Sequence, residues 1–250
     1  MSKILYSGVP GDDAAVPDAV LDFAAGDPLT PIWLNEAGGL TYRVGRASGD
    51  VFIKWDPAGS IESLAHERER LEWLAGRFPA PRVVGFGADE SGDWLATAAL
   101  DAESAVSPRW KAEPATAVRA IASGLRLLHG TLDAASAPFS WSVDARVAAA
   151  AANGIEVADA LRTAPPIDRL VVCHGDPCVP NTLLGASGRF AAVVDAGRIG
   201  AADRWADLAV ASMSLGWNYG EGWEPLFFDT YGVERDEERI AYYRALWDAT

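Results

Sequence analysis

The richest run of chemically able side chains is His174-Gly175-Asp176-Pro177-Cys178-Val179-Pro180-Asn181, followed by Asp195-Ala196-Gly197-Arg198. Two carboxylates and a carboxamide offer hard oxygen donors. A bound Mg²⁺ ordinarily takes one or two carboxylates and shares the rest of its shell with phosphates and water. A carboxylate in the same group can also accept a proton from a hydroxyl. Moving a phosphoryl group requires these parts: a positioned hydroxyl, a metal on the phosphates and cations to neutralise charge. Upstream stands Lys54, one of only three lysines with Lys3 and Lys111. It could pair with nucleotide phosphates, and Glu67 could hold it in place. Phe52 could stack on a flat base or simply pack in a core. Arg198 could touch phosphate or substrate, or pair with a nearby acid.

The elements that must carry these residues are readable from pattern. Leu40–Val44 and 51–55 form a hairpin about the 45–50 turn. Side chains alternate along a strand, so Val51, Ile53 and Trp55 share one face, and Phe52 and Lys54 the other. Asp56-Pro57-Ala58-Gly59 should break the strand. Ser60 should cap the next helix, with Glu62 suiting its positive end. Leu64, Leu71, Leu74 and Phe78 then follow a helical stripe that Pro79 and Pro81 close. Glu67 lies on that stripe, where a carboxylate is costly without a partner. Further strands are expected from Val83 and over 93–100, either side of Glu90-Ser91-Gly92. A helix over 115–129 presents Val118, Ile121, Leu125 and Leu128, with Gly130 as a left-handed cap. Residues 131–169 read as irregular apart from an Ala-rich helix near 144–152. Leu170–Cys173, 182–184 and 190–194 are short strands that deliver the loop acids to one spot.

Taken together, Lys54…Glu67…His174-Gly175-Asp176-x4-Asn181…Asp195-x-Gly-Arg198 resembles the aminoglycoside phosphotransferase family, in particular its 3′-phosphotransferases, which share the protein-kinase fold. Ala201-Ala202-Asp203-Arg204-Trp205-Ala206-Asp207-Leu208-Ala209 and the tail from Arg239 to Asp248 extend the likeness. It implies a two-lobed α+β fold, with a small sheet-rich N-lobe (1–100) and a larger helical C-lobe (101–250). The nucleotide would lie between the lobes. By that resemblance Asp176 is the catalytic base, and Asn181 and Asp195 are the magnesium ligands. Lys54 binds phosphates and is oriented by Glu67. Asp207 braces the catalytic loop. Ala98 and Leu100 belong to the hinge that reads adenine, and Gly38-Gly39 begins the loop over the nucleotide. Arg198 and Asp248 contact substrate, a plain terminal charge being the alternative for Asp248 that the resemblance disfavours. His174 is expected to be a structural, hydrogen-bonded loop residue. The implied reaction is ATP- and Mg²⁺-dependent phosphorylation of a hydroxyl on a cationic aminoglycoside, the 3′-hydroxyl first among candidates, with drug resistance as the role.

The chain departs from that family in three places. Val179 stands three residues after Asp176, where an acid is frequent. Asp248 is followed only by Ala249 and Thr250. The segment Ser214-Leu215-Gly216-Trp217-Asn218-Tyr219-Gly220 has no acid, though Trp217 and Trp223 could line an acceptor pocket. Kinases of choline, homoserine or sugar-amine metabolites remain as alternatives, as does a nucleotide-binding module without turnover. A metal-dependent hydrolase built on Asp176, His174 and Asp195 would lack ligands and would not need Lys54.

Composition narrows the field further. Of 250 residues, 35 are acids and 21 are Lys or Arg, for a net charge of −14. Duplex nucleic acid requires a basic footprint that is not visible, so no nucleic-acid partner is expected. No apolar run nears the roughly 20 residues that span a bilayer. The residues before Gly11, Asp12 and Asp13 lack a secretory pattern. Cys173 and Cys178, with three histidines in all, cannot build the usual four-ligand zinc site. They fit a reduced, cytoplasmic setting, and a monomer or weak dimer is expected.

Overall fold

A computed structural model describes residues 8, 10–11, 15–35, 37–61 and 63–250. By its internal contacts the chain divides into two compact units: residues 1–75 with 81–100, and residues 76–80 with 101–250. Residues 1–7, 12–14 and Glu62 lie outside the described residues, so the reading of the leading segment and of Glu62 as a helix-start acid has no counterpart here.

In the first unit, α1 (Asp18–Ala24) precedes β1 (Leu29–Leu34), β2 (Leu40–Val44) and β3 (Val51–Pro57), and α2 (Leu64–Leu74) precedes β4 (Val83–Asp89) and β5 (Gly92–Ala98). The strands form an antiparallel sheet in the order β1-β2-β3-β5-β4. In the expected hairpin Val44 faces Val51 and Leu40 faces Trp55. Leu40, Tyr42, Val44, Val51 and Ile53 turn to one side, where Val20 and Ala24 of α1 close a core over them. Each large side chain so buried contributes on the order of 1.5–3 kcal/mol. The helix α1 was not expected from the sequence.

Several boundaries differ from expectation, each for a local reason. Asp56-Pro57 does not break β3, because Asp56 pairs with Asp93 and Pro57 with Gly92 at the sheet end. The helix cap is Ser63, not Ser60: Ser63 Oγ accepts from the His66 amide at 3.3 Å, while the Ser60 amide closes a turn onto the Pro57 carbonyl. The helix α2 ends at Leu74, before Gly76, whose φ is +73°. Phe78 is therefore not on its stripe. It belongs to the second unit, where its ring packs with Phe190, 5.8 Å between ring centres.

The second unit runs through β6 (Glu103–Ser104), α3 (Pro108–Ala112), α4 (Pro114–Thr131), α5 (Val143–Ala152), α6 (Asp159–Arg162), β7 (Leu170–Cys173), β8 (Thr182–Leu184), β9 (Phe190–Val193), β10 (Gly200–Asp203), α7 (Trp205–Tyr219), α8 (Glu224–Tyr231) and α9 (Glu237–Ala249). The expected apolar face of α4 is buried. Gly130 is not a left-handed cap, since the helix continues through it to Thr131. The run 201–209, likened as a whole to a helix of the family, becomes helical only from Trp205; residues 200–203 form a strand antiparallel to β7. The helix α7 is buried on nearly all sides, as suits a central helix with apolar residues all round.

Candidate active site

On β3, Lys54 faces Thr41 across one ladder and Leu95 across the other. Its alternation partners Val51 and Ile53 are buried, which turns Lys54 and Phe52 to the opposite face, both half-buried. The helix α2 packs on β3, β4 and β5 and brings Glu67 under the lysine. Lys54 Nζ donates to both carboxylate oxygens, at 2.9 and 2.8 Å. Glu67 is only 5% exposed, and the ammonium resolves its awkward place on a buried stripe. At the end of β5 the Ala98 amide donates to the Arg82 carbonyl and the Ala99 amide to the Asp50 carbonyl. The amide of Leu100 makes no hydrogen bond among the described residues. Gly38 and Gly39 close the β1–β2 turn, where the Gly39 amide donates to Asn35 Oδ1 at 2.6 Å.

The second unit holds its polar loop by a different device. Asp207, on the first turn of α7, is fully buried. Its carboxylate accepts from the amides of His174 (2.7 Å) and Gly175 (2.9 Å) and from His129 Nε2 (3.0 Å). Tyr231 donates in turn to His129 Nδ1 at 2.8 Å. Gly175 has φ +84°, and a Cβ there would lie 2.3 Å from the Arg198 carbonyl oxygen. Only glycine lets the loop turn this close to the 195–198 segment. His174 is buried between two backbone partners: Nε2 donates to the Val194 carbonyl at 3.0 Å, and Nδ1 accepts from the Asp176 amide at 3.2 Å.

Beyond Asp176 the chain forms a short 3₁₀ turn over Val179–Asn181. The Val179 amide donates to Ser214 Oγ at 3.0 Å, and Asn181 Nδ2 donates to the Asp176 carbonyl at 3.0 Å. The Val194 amide donates to the Asn181 carbonyl at 3.0 Å, which ties Asp195 to the same loop. Asp195 adopts the left-handed region (φ 61°, ψ 54°), a strained choice for a residue with a Cβ. Asp176 Oδ1 is buried with no hydrogen-bond partner among the described residues. Burial and the adjacent Asp176 carboxylate push the Cys178 thiol up, so it stays protonated.

These observations fit a divalent cation such as Mg²⁺. With its Nδ2 engaged, Asn181 presents Oδ1 as its open end, and Asp195 adds a carboxylate from the knitted segment. An amide oxygen with a carboxylate is a donor set for a hard ion. The unpartnered Asp176 oxygen suits a group that must meet a hydroxyl.

The substrate candidates are placed differently. The Arg198 guanidinium lies over the rings of Trp247 (5.2 Å) and Trp141 (5.7 Å). Arg146 lies against Trp141 too, and burial, with Arg198 nearby, lowers it to about 10. Asp248 is exposed on α9, and no hydrogen bond or ion pair engages it among the described residues. Trp217 is 62% exposed. Sequence reasoning missed Ser214, and it missed His129 and Tyr231 behind Asp207. A signal existed for His129: it falls four residues after Leu125, on the apolar stripe, as Glu67 does on its own helix.

Residues 30–243 match the phosphotransferase enzyme family. The chain is 35% identical to an aminoglycoside 3′-phosphotransferase of Streptomyces fradiae, over 76% of this chain and 81% of that one. It resembles a crystal structure of the type VIII aminoglycoside 3′-phosphotransferase (TM-score 0.77, 30% identity), covering 93% of this chain and 98% of the other. It also resembles APH(3'')-Id of Streptomyces rimosus, solved with ADP and streptomycin (TM-score 0.69, 25% identity), covering 91% and 95%. The chain belongs to the phosphotransferase enzyme family, and to the aminoglycoside phosphotransferases within it. It is a phosphotransferase of α+β, kinase-like fold with an alcohol acceptor. No described helix is long and apolar enough to cross a membrane.

Proposed function

We propose that this protein transfers the γ-phosphate of ATP to a hydroxyl of an aminoglycoside, the 3′-hydroxyl first, and so confers resistance to the drug. The observation that carries the reading is the buried, unpartnered Oδ1 of Asp176 on a loop held by Asp207. A carboxylate kept in such a place is suited to accept a proton from an incoming hydroxyl. Relatives supply the substrate class: one is a 3′-phosphotransferase, another a 3″ enzyme solved with ADP and streptomycin.

In this mechanism Lys54, fixed by Glu67, grips the α and β phosphates. The amide of Leu100 and the carbonyl of Ala98 meet the adenine edge, and Phe52 lies against the base. Asn181 and Asp195 would hold Mg²⁺, which would supply charge neutralisation on the phosphates. Asp176 aligns the acceptor hydroxyl and takes its proton. Arg198, set between two tryptophan rings, and Asp248 face the acceptor. Residues 1–100 and 101–250 act as nucleotide and acceptor lobes of a cytoplasmic monomer or weak dimer.

A second reading keeps the reaction and changes the acceptor. It is favoured by the acid-free segment Ser214 to Gly220 and by the two arginines about Trp141, which offer little to a polycation. The test is a coupled ADP-release assay with Mg–ATP over kanamycin-, neomycin- and streptomycin-type acceptors and choline, with product mass. ADP release with kanamycin and neomycin and a phosphate-mass adduct on each supports the first reading. Release with streptomycin alone moves the site to 3″. Release only with choline establishes the second, and no release with any acceptor rejects transfer to these classes.

A further inference from the structure

The outer face of α4 and the turn between β8 and β9 enclose a groove of about 660 Å³, whose lining includes none of Lys54, Glu67, Asp176, Asn181 and Asp195. Arg119 and Arg126 stand on its helical wall and Arg189 on the turn, with Phe190, Ala120 and Leu127 as apolar lining and Ser123 between the two helical arginines. Seven residues of helix separate Arg119 from Arg126, which places their stems about 10 Å apart on one side. Elsewhere the chain's arginines are commonly paired: Arg43 with Asp50, Arg204 with Asp168, Arg239 with Asp236, Arg244 with Glu224. The guanidinium groups of Arg126 and Arg189 have no hydrogen-bond or ion-pair partner among the described residues, and that of Arg119 reaches only the Ala115 carbonyl of its own helix. In a protein of net charge −14, three guanidinium groups without a carboxylate around one apolar hollow are a departure from the general surface.

The walls are rigidly set. A Cβ at Gly124 would lie 2.3 Å from the Phe190 ring, so helix and ring are in closest contact. Gly188, at φ +75°, brings the turn so near that a Cβ would lie 2.6 Å from the Thr116 methyl. The hollow therefore exists before any ligand arrives, and its size falls in the small-molecule range. We propose that this groove binds a small amphipathic anion: an apolar body carrying two or more sulfonate, carboxylate or phosphate groups that the guanidinium groups engage. This is a site separate from phosphoryl transfer and does not depend on the acceptor's identity.

The test titrates the whole protein with the dianionic fluorophore 4,4′-dianilino-1,1′-binaphthyl-5,5′-disulfonate, in the presence of saturating Mg–ATP. The variant Arg126→Gln/Arg189→Gln should weaken binding about tenfold, the scale of two partly screened charge contacts. Lys111→Glu, with the same change in net charge, should leave it unaltered. Equal affinity in all three proteins overturns the proposal, as does equal weakening in both variants. A glutamate-rich peptide that binds through Arg126 and Arg189 where the fluorophore does not overturns the small-ligand class. ADP release with the aminoglycoside panel should be the same in all three proteins, so failure of the groove and failure of the transferase reading are seen separately.

Discussion

Lys54 and Glu67 meet because two regular elements, a central strand and a helix laid on it, set them face to face. Asp176, Asn181 and Asp195 sit instead on irregular backbone, and what holds them is a set of hydrogen bonds from distant elements. The first arrangement depends on side-chain period and on one ion pair. The second depends on Asp207 and Ser214, whose oxygens take the place of ladder partners for the loop amides. Damage to the first should therefore be graded and local, while damage to the second should spread to fold and reaction together.

The largest effect is expected where the second arrangement presents its unpartnered oxygen. Asp176→Asn should lower kcat about 10²–10⁴-fold, the usual worth of a general base. Nucleotide affinity and thermal stability should stay near wild type, because Oδ1 has no hydrogen-bond partner among the described residues. Steady-state kinetics and nucleotide titration check both halves. Full activity in the variant would remove Asp176 from the reaction.

The same contrast explains what was legible beforehand. The β2–β3 hairpin, the apolar face of α4 and the Lys54–Glu67 pair follow from period and from the cost of a carboxylate on a buried stripe. The strand β10 did not, because Gly200-Ala201-Ala202-Asp203 has little strand preference and extends only by pairing with β7. The same holds for Phe78, whose partner Phe190 is remote in the chain. The cap at Ser63 was displaced by three residues because Ser60 is taken by a turn. Family resemblance supplied Asp207; no local pattern shows that two loop amides more than thirty residues upstream point at it.

Asp207→Ala should come next. It strands the amides of His174 and Gly175 and the ring of His129 inside the protein, which should cost about 3–5 kcal/mol. Chemical denaturation should show the loss, and turnover should fall with it. A variant as stable as wild type would mean the loop is held by something else. Ser214→Ala tests the same arrangement more gently. It leaves the Val179 amide without its buried acceptor, at about 1–3 kcal/mol. Glu67→Gln tests the other arrangement. Lys54 retains a neutral hydrogen-bond partner and some solvent, so stability should change by about 1 kcal/mol or less. The KM for ATP should rise roughly tenfold, because a loosened ammonium meets phosphate in the wrong place. A large stability loss there would erase the distinction between the two arrangements.

The smallest change sharpens it most. Ser63 and Ser214 each accept from one backbone amide, at 3.3 and 3.0 Å, and Ser214 also accepts from Asn218 Nδ2 at 3.2 Å. Ser63 does so at the exposed start of α2, and Ser214 does so fully buried. When Ser63 becomes alanine, water can reach the His66 amide, so only about 0.5 kcal/mol should be lost, the low end for a helix cap. The turn that carries Glu67 frays slightly, but Leu64, Leu71 and Leu74 keep α2 on its sheet, so the KM for ATP should move less than about twofold. Measuring Ser63→Ala and Ser214→Ala side by side, with Asn218→Ala to account for the second bond on Ser214, sets a solvent-exposed acceptor against a buried one. Equal losses would mean the bond itself sets the cost, and the loop of Asp176 would then be no more dependent on its buried acceptors than a surface helix is on its cap.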